Sequence, residues 1–481
     1  MGERLLAIGL DLGTSGARAV ALDLSGQWVA SGRGDLPREA CSVNGPRVEQ
    51  DPEAWTTAAQ SALRQLTQGL PPACKIVGIA VDATSGTFLL ADGRGRPLTR
   101  GLMYNDLRAV DVWQDVAEAM RPDLDAYGIR MAAAFALSKL VHLARHEPQL
   151  LTRCRRVVHQ TDWVVGMLSG RYDVTDVSTA LKTGADPGKL VWPQAIERLG
   201  IARDILPRIV LPGTPIGEVT PAAASATGLP AGIPVVAGCT DGTAGCLASG
   251  ASQTGDLNVT LGTTLVYKAI ADRVLADPQG EIYNHRHPAG GFLPGAASST
   301  GAEWIEKHFP RADLDALSQA AWRLLPTRAI AYPLVKAGER FPFSCAKAAG
   351  FGLERIADPL RRLAAGMEGV AFLERMGVER FERLGLPIRA TVYATGGGAA
   401  STTWLRIRAA VNRRVYSVPL HPECAVGAAV LAAMPHLGGC RQALASLVRS
   451  GEQVEPDDEL ARAYGAEYER FRAALRERGY L

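Results

Sequence analysis

The chain lacks any long apolar run. Nowhere among its 481 residues is there the stretch of ~20 uninterrupted apolar residues that a membrane-spanning helix needs, so no transmembrane segment is expected. A strong charge bias is missing too. The 52 Lys and Arg against 49 Asp and Glu leave a formal net charge of +3, which gives no reason to expect nucleic acid or a membrane surface as partner. The eight cysteines are scattered, with no CxxC pair and no His at ligand spacing. That argues against structural zinc or a disulfide framework, and for free thiols in a reducing compartment. The opening MGERLLAIGLDLGT has no signal-peptide anatomy, because Asp11 interrupts its apolar stretch; a cytoplasmic location is expected. Low-complexity segments are absent. The arginines near the end (Arg462, Arg470, Arg472, Arg476, Arg478) alternate with Glu467, Glu469 and Glu477 and read as the solvated face of a helix.

What remains is the composition of a soluble globular protein, 47% hydrophobic and 21% charged. Its length exceeds one ordinary core, so two domains are expected. One internal duplication stands out. Leu5 to Leu24 reads LLAIGLDLGTSGARAVALDL, and Asp256 to Ile270 reads DLNVTLGTTLVYKAI. Each is an apolar run, then Leu-Gly-Thr, a small polar turn, and a second apolar run. This is the pattern of a β-hairpin with a tip too small to obstruct a ligand. Two such hairpins, one per half, can grip a string of phosphates from opposite sides of a cleft.

Around the first hairpin the chain reads strand, strand, strand, then a helix opened by Asp51-Pro52-Glu53, which supplies an N-cap acid and a proline at the first helical position. KIVGIAVDATSGTFLLAD reads as two more strands about a turn. Asp123 to Gly170 reads as mostly helical, and Gly213 to Pro234, rich in Gly and Pro, as a loop. VVAGCTDGTAGCLASGA reads as a buried strand, a small-residue turn and a helix. PLRRLAAGMEGVAFLERMGVERFERLG is an amphipathic helix, and TVYATGGGAASTTWLRIRAAV is strand, glycine turn, helix. The alternation marks an α/β layer architecture. The boundaries are drawn at 1–246, 247–437 and 438–481, the last a helical tail expected to pack back on the first domain.

Several residues carry chemistry. Asp11 closes an apolar strand, where Asp is disfavoured, and precedes a Gly-Thr turn. It suits a Mg²⁺ anchor, since Mg²⁺ is commonly held by one or two carboxylates plus substrate phosphates; the plainer alternative is a turn acid. Gly13, Thr14, Ser15 and Gly16 offer N–H and hydroxyl groups to phosphate. Gly262, Thr263 and Thr264 repeat the grip without the acid. Asp241, after the strand PVVAGC, is either a helix N-cap or a general base aimed at a sugar hydroxyl; flanking Gly238, Gly242 and Gly245 would leave room for a ligand. Phosphoryl transfer suits such a base, because the hydroxyl need lose its proton only late. Gly396, Gly397 and Gly398 permit close approach of a nucleotide, although they match neither GxGxxG nor a Walker sequence. Thr84, Ser85, Asn105, Asp106 and Arg108 form a polar set suited to a polyhydroxylated ligand, each singly readable as a satisfied turn residue. Asp162 and Asp176 read as caps or structural pairs.

In this order, GLDLGTSGARAVALD, YNDLRA, DWVVGMLSGRYDVTDVSTA, AGCTDGTAG, TLGTT, GERFPF, GMEGVAF, ATGGGAASTTWLRIRAAV and PECAVGAAVLA resemble the landmarks of the FGGY carbohydrate kinases, within the actin-like ATPase superfamily. The resemblance runs nearly end to end. It implies two actin-like (ribonuclease H-like) α/β domains with a deep interdomain cleft. It also implies ATP and Mg²⁺ as cofactors, a small-molecule sugar substrate, and a monomer or homodimer. By the resemblance Asp241 is the catalytic base, Asp11 the metal-linked carboxylate, and Gly262 to Thr264 with Gly396 to Gly398 the nucleotide side. Two departures are visible. Where xylulokinases usually carry a Met-His pair after an S-G-Q turn, this chain has DATSGTFLL. After the glycine turn, Arg406, Ala410 and Arg413 replace the usual pattern. DATSGT, HQTDW and GERFPF look most like the D-ribulose kinase branch, so a terminal hydroxyl of a pentulose, D-ribulose first, is the expected target. Xylulose, glycerol or ribitol are the alternatives, and an actin- or chaperone-like ATPase or a silent sugar sensor would be rivals of another class.

Overall fold

The computed structural model describes residues 3–310 and 312–481. Its contacts divide it into two compact units. The first runs up to Gly250 and adds His285–Gly290 and Glu423–Arg449; the second comprises Ala251–Asn284, Gly291–Pro422 and Ser450–Leu481.

In the first unit, β1 (Arg4–Leu12), β2 (Gly16–Asp23) and β3 (Trp28–Asp35) form an antiparallel meander. Helix α1 (Pro52–Gln68) covers one face of it. Asp51 caps this helix by accepting the Glu53 N–H, and Pro52 takes the first position, as the sequence predicts. β4 (Cys74–Ala83) lies beside β1 and parallel to it. α2 (Ala136–His146) and α3 (Gln160–Ser169) lie in the segment predicted to be helical. Between them Arg156–His159 is a strand instead, because Val157 and Val158 fill the core beside Leu89 and Leu90. The Gly213–Pro234 segment likewise departs from the predicted loop. It holds a strand, Pro215–Glu218, and a helix, Pro221–Thr227, capped by Thr220 and stopped at Gly228; its glycines and prolines bracket elements rather than dissolve them. β5 (Cys239–Thr240) pairs in parallel with β4 and leads into α4 (Asp241–Ala248).

The second unit repeats the central arrangement. β6 (Leu257–Leu261) and β7 (Leu265–Ala269) form a hairpin, and β6 runs parallel to β8 (Thr391–Thr395), as β1 does to β4. The long helix α5 (Pro359–Arg383) and α6 (Thr402–Asn412) pack together over a core that includes Tyr267, Trp304, Phe372 and Phe381.

The chain then departs from the boundaries read from sequence. Helix α7 (Cys424–Leu437) belongs to the first unit, where its small residues let it lie directly on β1 and β4. A Cβ at Gly9 would sit 1.8 Å from the Ala425 carbonyl oxygen, so no larger residue fits. Helix α8 (Asp458–Glu477) packs in the second unit against α6 and α5, where Tyr464, Tyr468 and Phe471 surround Phe372. Only part of the tail therefore joins the first unit. All eight cysteines are free thiols. Among the described residues no helix is long and apolar enough to cross a membrane.

Candidate active site

Three adjacent parallel strands of the first unit carry a carboxylate at or just beyond their ends. Asp11 on β1 pairs in register with Asp82 on β4. On the other side of β4, Cys239 of β5 pairs with Asp82, and Asp241 follows two residues later as the first residue of α4. Asp82 is fully buried, and neither of its carboxylate oxygens has a hydrogen-bond donor. Burial above all, then the charges of Asp11 and Asp241, holds the Asp82 proton well above the usual carboxylate range. Burial likewise raises Asp11 to about 6, with Asp241 adding to the effect, and with the contact to Asp82 and the charge of Arg18 opposing it. Acids packed this closely cannot all ionise without a cation. Oxygen-only donors at a strand end, one of them orphaned, fit a hard ion such as Mg²⁺.

Sequence reasoning missed Asp82. The signal was present: it closes the apolar strand KIVGIAVD just as Asp11 closes LLAIGLD.

Asp241 is not the helix cap; Thr240 occupies that position. The Asp241 carboxylate stands in the first turn, half-buried, and accepts the Gly242 N–H at 2.6 Å. Its base is braced from behind. The Thr240 N–H donates to Ser178 Oγ (3.1 Å), and Ser178 Oγ donates to Asp176 Oδ1 (2.5 Å). Asp176 is the N-cap of a short helix, accepting the Ser178 and Thr179 N–H groups, and Asp162 pairs with His159 at 2.7 Å. Both acids are structural, as predicted. Gly238 has a different role from the one expected. A Cβ there would lie 1.7 Å from the Val81 carbonyl oxygen, so its smallness serves strand packing and not ligand access.

The polar set splits into two kinds. Thr84 Oγ1 bonds Thr87 Oγ1 (2.7 Å) and Gln160 Oε1 (2.6 Å), while Ser85 Oγ and Gln160 Nε2 are buried without partners. These atoms have capacity left for a ligand. Asp106 and Arg108 instead saturate each other through two bonds of 2.9 and 2.8 Å. Arg108 also donates to Glu49 (2.6 Å), and Asp106 accepts the Val48 N–H (2.7 Å). Asn105, just before Asp106, is exposed. Lys139, which the sequence did not single out, is buried with its ammonium on the carbonyls of Gly86 (2.9 Å) and Met103 (2.6 Å). It ties the Thr84–Gly86 turn to the YNDLRA segment. Burial lowers it to about 7.

In the second unit the positions matching the strand-end acids are neutral. Thr260 pairs in register with Thr395, their hydroxyls 2.7 Å apart. Beyond them the tip Gly262–Thr264 and the turn Gly396–Gly398 come together. A cavity of about 610 Å³ lies there, and Gly262, Thr263, Gly397, Gly398, Met367 and Trp404 are among its walls; small-molecule sites are commonly of roughly 300–1,000 Å³. In the first unit Thr14 and Ser15 are exposed at the hairpin tip, where the Gly13 N–H closes the turn onto the Gly16 carbonyl (3.0 Å).

The N-terminal domain of the FGGY family of carbohydrate kinases matches residues 6–248, and its C-terminal domain matches residues 224–436. The chain belongs to this family. It is a carbohydrate kinase with the two-domain α/β architecture expected. A xylulose kinase of Escherichia coli strain K12 is 28% identical to it over 418 residues, 84% of each chain. An autoinducer-2 kinase of Yersinia enterocolitica is 28% identical over 498 residues, 97% of this chain and 93% of that one. A solved structure of a xyloylose kinase from Brucella ovis has a TM-score of 0.88 at 26% identity, covering 98% of this chain and 99% of its own. For a carbohydrate kinase the two sets of residues differ usefully in charge: acids at the strand ends of one unit, hydroxyls and glycines at the same places in the other.

Proposed function

We propose that this carbohydrate kinase uses ATP and Mg²⁺ to phosphorylate a terminal hydroxyl of a pentulose, with D-ribulose the favoured substrate and Asp241 the general base. The observation that carries the reading is the row of acids at the strand ends, in which Asp82 is buried without a donor beside Asp11 and Asp241 opens the helix that follows the next strand. Asp11 and Asp82 would hold Mg²⁺. When bound, the ion offsets charge on the phosphate oxygens of the nucleotide. Asp241 orients the attacking hydroxyl and accepts its proton as the new bond to phosphorus forms; because the transition state is loose, orientation matters more than basicity. Gly13, Thr14 and Ser15, with Gly262 to Thr264 and Gly396 to Gly398, would supply N–H and hydroxyl donors to the nucleotide. Thr84, Ser85 and Asn105 would face the sugar. Asp106 and Arg108 would act by holding that segment in shape.

The preference for D-ribulose rests on DATSGT standing where xylulokinases usually carry Met-His. Thr84 and Ser85 present short hydroxyl groups there, and the Ser85 hydroxyl still lacks a partner. A second reading, D-xylulose, is favoured by the names of the E. coli and Brucella relatives. An ADP-release assay with Mg·ATP against D-ribulose, D-xylulose, L-ribulose, L-xylulose, glycerol and ribitol separates the two. Saturation at low concentration by D-ribulose supports the first, and by D-xylulose the second. Turnover is expected to fall at least about a hundredfold in Asp241→Asn, with the circular dichroism spectrum unchanged; normal turnover in that variant would refute the assignment of the base.

A further inference from the structure

Apart from the strand-end acids, the first unit gathers two imidazoles and a carboxylate at one point. His142 and His146 stand one turn apart on α2, so they share a face. Asp111 closes the short turn Arg108–Asp111 opposite them. His142 Nδ1 lies 2.9 Å from Asp111 Oδ1, and His146 Nε2 lies 2.6 Å from Asp111 Oδ2. The ring centroids are 4.4 Å apart. One ligand atom from each residue falls within 4.8 Å of the others.

We propose that Asp111, His142 and His146 form a binding site for a transition-metal dication of the zinc, cobalt or nickel type, distinct from the Mg²⁺ chemistry at Asp11. The donor set decides the class. Two neutral imidazoles and one carboxylate suit these borderline ions, whereas Mg²⁺ prefers oxygen alone. The geometry exceeds what an ordinary ion pair requires. One imidazole would satisfy Asp111, yet two rings converge on it, one on each carboxylate oxygen. A single dication takes the place of the N–H groups aimed at the carboxylate: a neutral ring keeps its proton on the other ring nitrogen, and a charged ring releases one proton to solvent. The side chains are 12% (His142), 51% (His146) and 41% (Asp111) exposed. Water can therefore complete the coordination. The site also has a structural role within reach. α2 already holds the Met103 carbonyl through Lys139, and an ion at Asp111 would fix the same segment to α2 at its other end.

The test uses the full chain without a polyhistidine tag, in excess Mg²⁺. Co²⁺ is followed by its visible absorption and Zn²⁺ by calorimetry and by the melting temperature. One equivalent is expected to bind, and Zn²⁺ to raise the melting temperature. His146→Gln changes an exposed side chain, so folding is preserved; affinity should fall at least about tenfold and the thermal shift should vanish. The double variant H142Q/H146Q should not bind, and Asp11→Asn should bind as the parent does. Absence of stoichiometric binding overturns the proposal. So does binding that survives in H142Q/H146Q or is lost in Asp11→Asn, since either result places the ion elsewhere.

Discussion

Asp82 faces Asp11 across the β1–β4 ladder, one acid directly opposite the other, and has no hydrogen-bond donor for either oxygen. Burying a carboxylate in this way is costly unless a cation or a shared proton compensates it. Here a proton held by Asp82 can bridge to Asp11 in the metal-free protein, and a dication can take its place. Asp82→Asn is therefore expected to act oppositely on two readouts. Mg²⁺ or Mn²⁺ affinity should fall by about tenfold to a hundredfold, while the metal-free variant should melt at or above the parent temperature. A variant that lost stability but kept its metal affinity would make Asp82 a packing residue.

The Asp106–Arg108 pair separates a structural from a recognition role. Each charge is almost fully buried and is satisfied chiefly by the other. Removing one leaves the other uncompensated, which costs about 3–5 kcal/mol in buried pairs. Asp106→Ala should lower the denaturation midpoint strongly. Asn105→Ala, at the exposed position just before the pair, should leave stability unchanged and raise the KM for the sugar. Equal stability of the two variants would mean that Asp106 is free to bind substrate directly.

How far the sequence could be read follows from what each feature depends on. The twin hairpins were legible because a turn of Leu-Gly-Thr between apolar runs is a local pattern, and the structure places both beside a parallel strand. Asp11 and Asp241 were legible because an acid at the end of an apolar strand is conspicuous. Asp82 obeys the same rule, but it is followed by Ala83 and a hydroxyl-bearing turn and not by the Leu-Gly-Thr pattern that marks Asp11. Lys139 had no local signal at all: only the fold brings its ammonium to Gly86 and Met103, far away in sequence. The division of the tail was hidden for a similar reason. Whether a helix of small residues lies on one sheet or another depends on which strands offer a glycine for close approach, as Gly9 does for Ala425.

A buried acid in the second unit gives a pH-dependent signature. Glu368 accepts from the Thr327 N–H (2.9 Å), the Thr327 hydroxyl and Tyr464 (3.0 Å). Burial nevertheless raises it from its ordinary 4.5 to about 7, the hydrogen bonds opposing. Between these values the folded chain binds more protons than the unfolded one, so stability falls as pH rises through the window and is level above it. The whole effect amounts to about 3 kcal/mol at most. Denaturant titrations of Glu368→Gln should gain on the parent from pH 5 to pH 7 and stay parallel above. A difference that did not change with pH would show that Glu368 is ionised in the fold.

Gly397 and Gly398 are neighbours that should behave in contrary ways. A Cβ built on Gly398 would lie 2.4 Å from the Leu261 side chain, within the core beneath the turn. Gly398→Ala should cost about 1–3 kcal/mol of stability, as overpacking does. A Cβ on Gly397 meets nothing within 4 Å, yet the residue lines the 610 Å³ cavity. The protein has space for that methyl group, so Gly397→Ala should fold and melt like the parent. A nucleotide whose phosphates lie close to the Gly397 backbone does not have that space, and ATP or ADP affinity measured by calorimetry should drop at least about tenfold, or 1.4 kcal/mol. If Gly397→Ala bound nucleotide normally, the ligand would have to lie against the Met367 and Trp404 side of the cavity and away from the glycine turn.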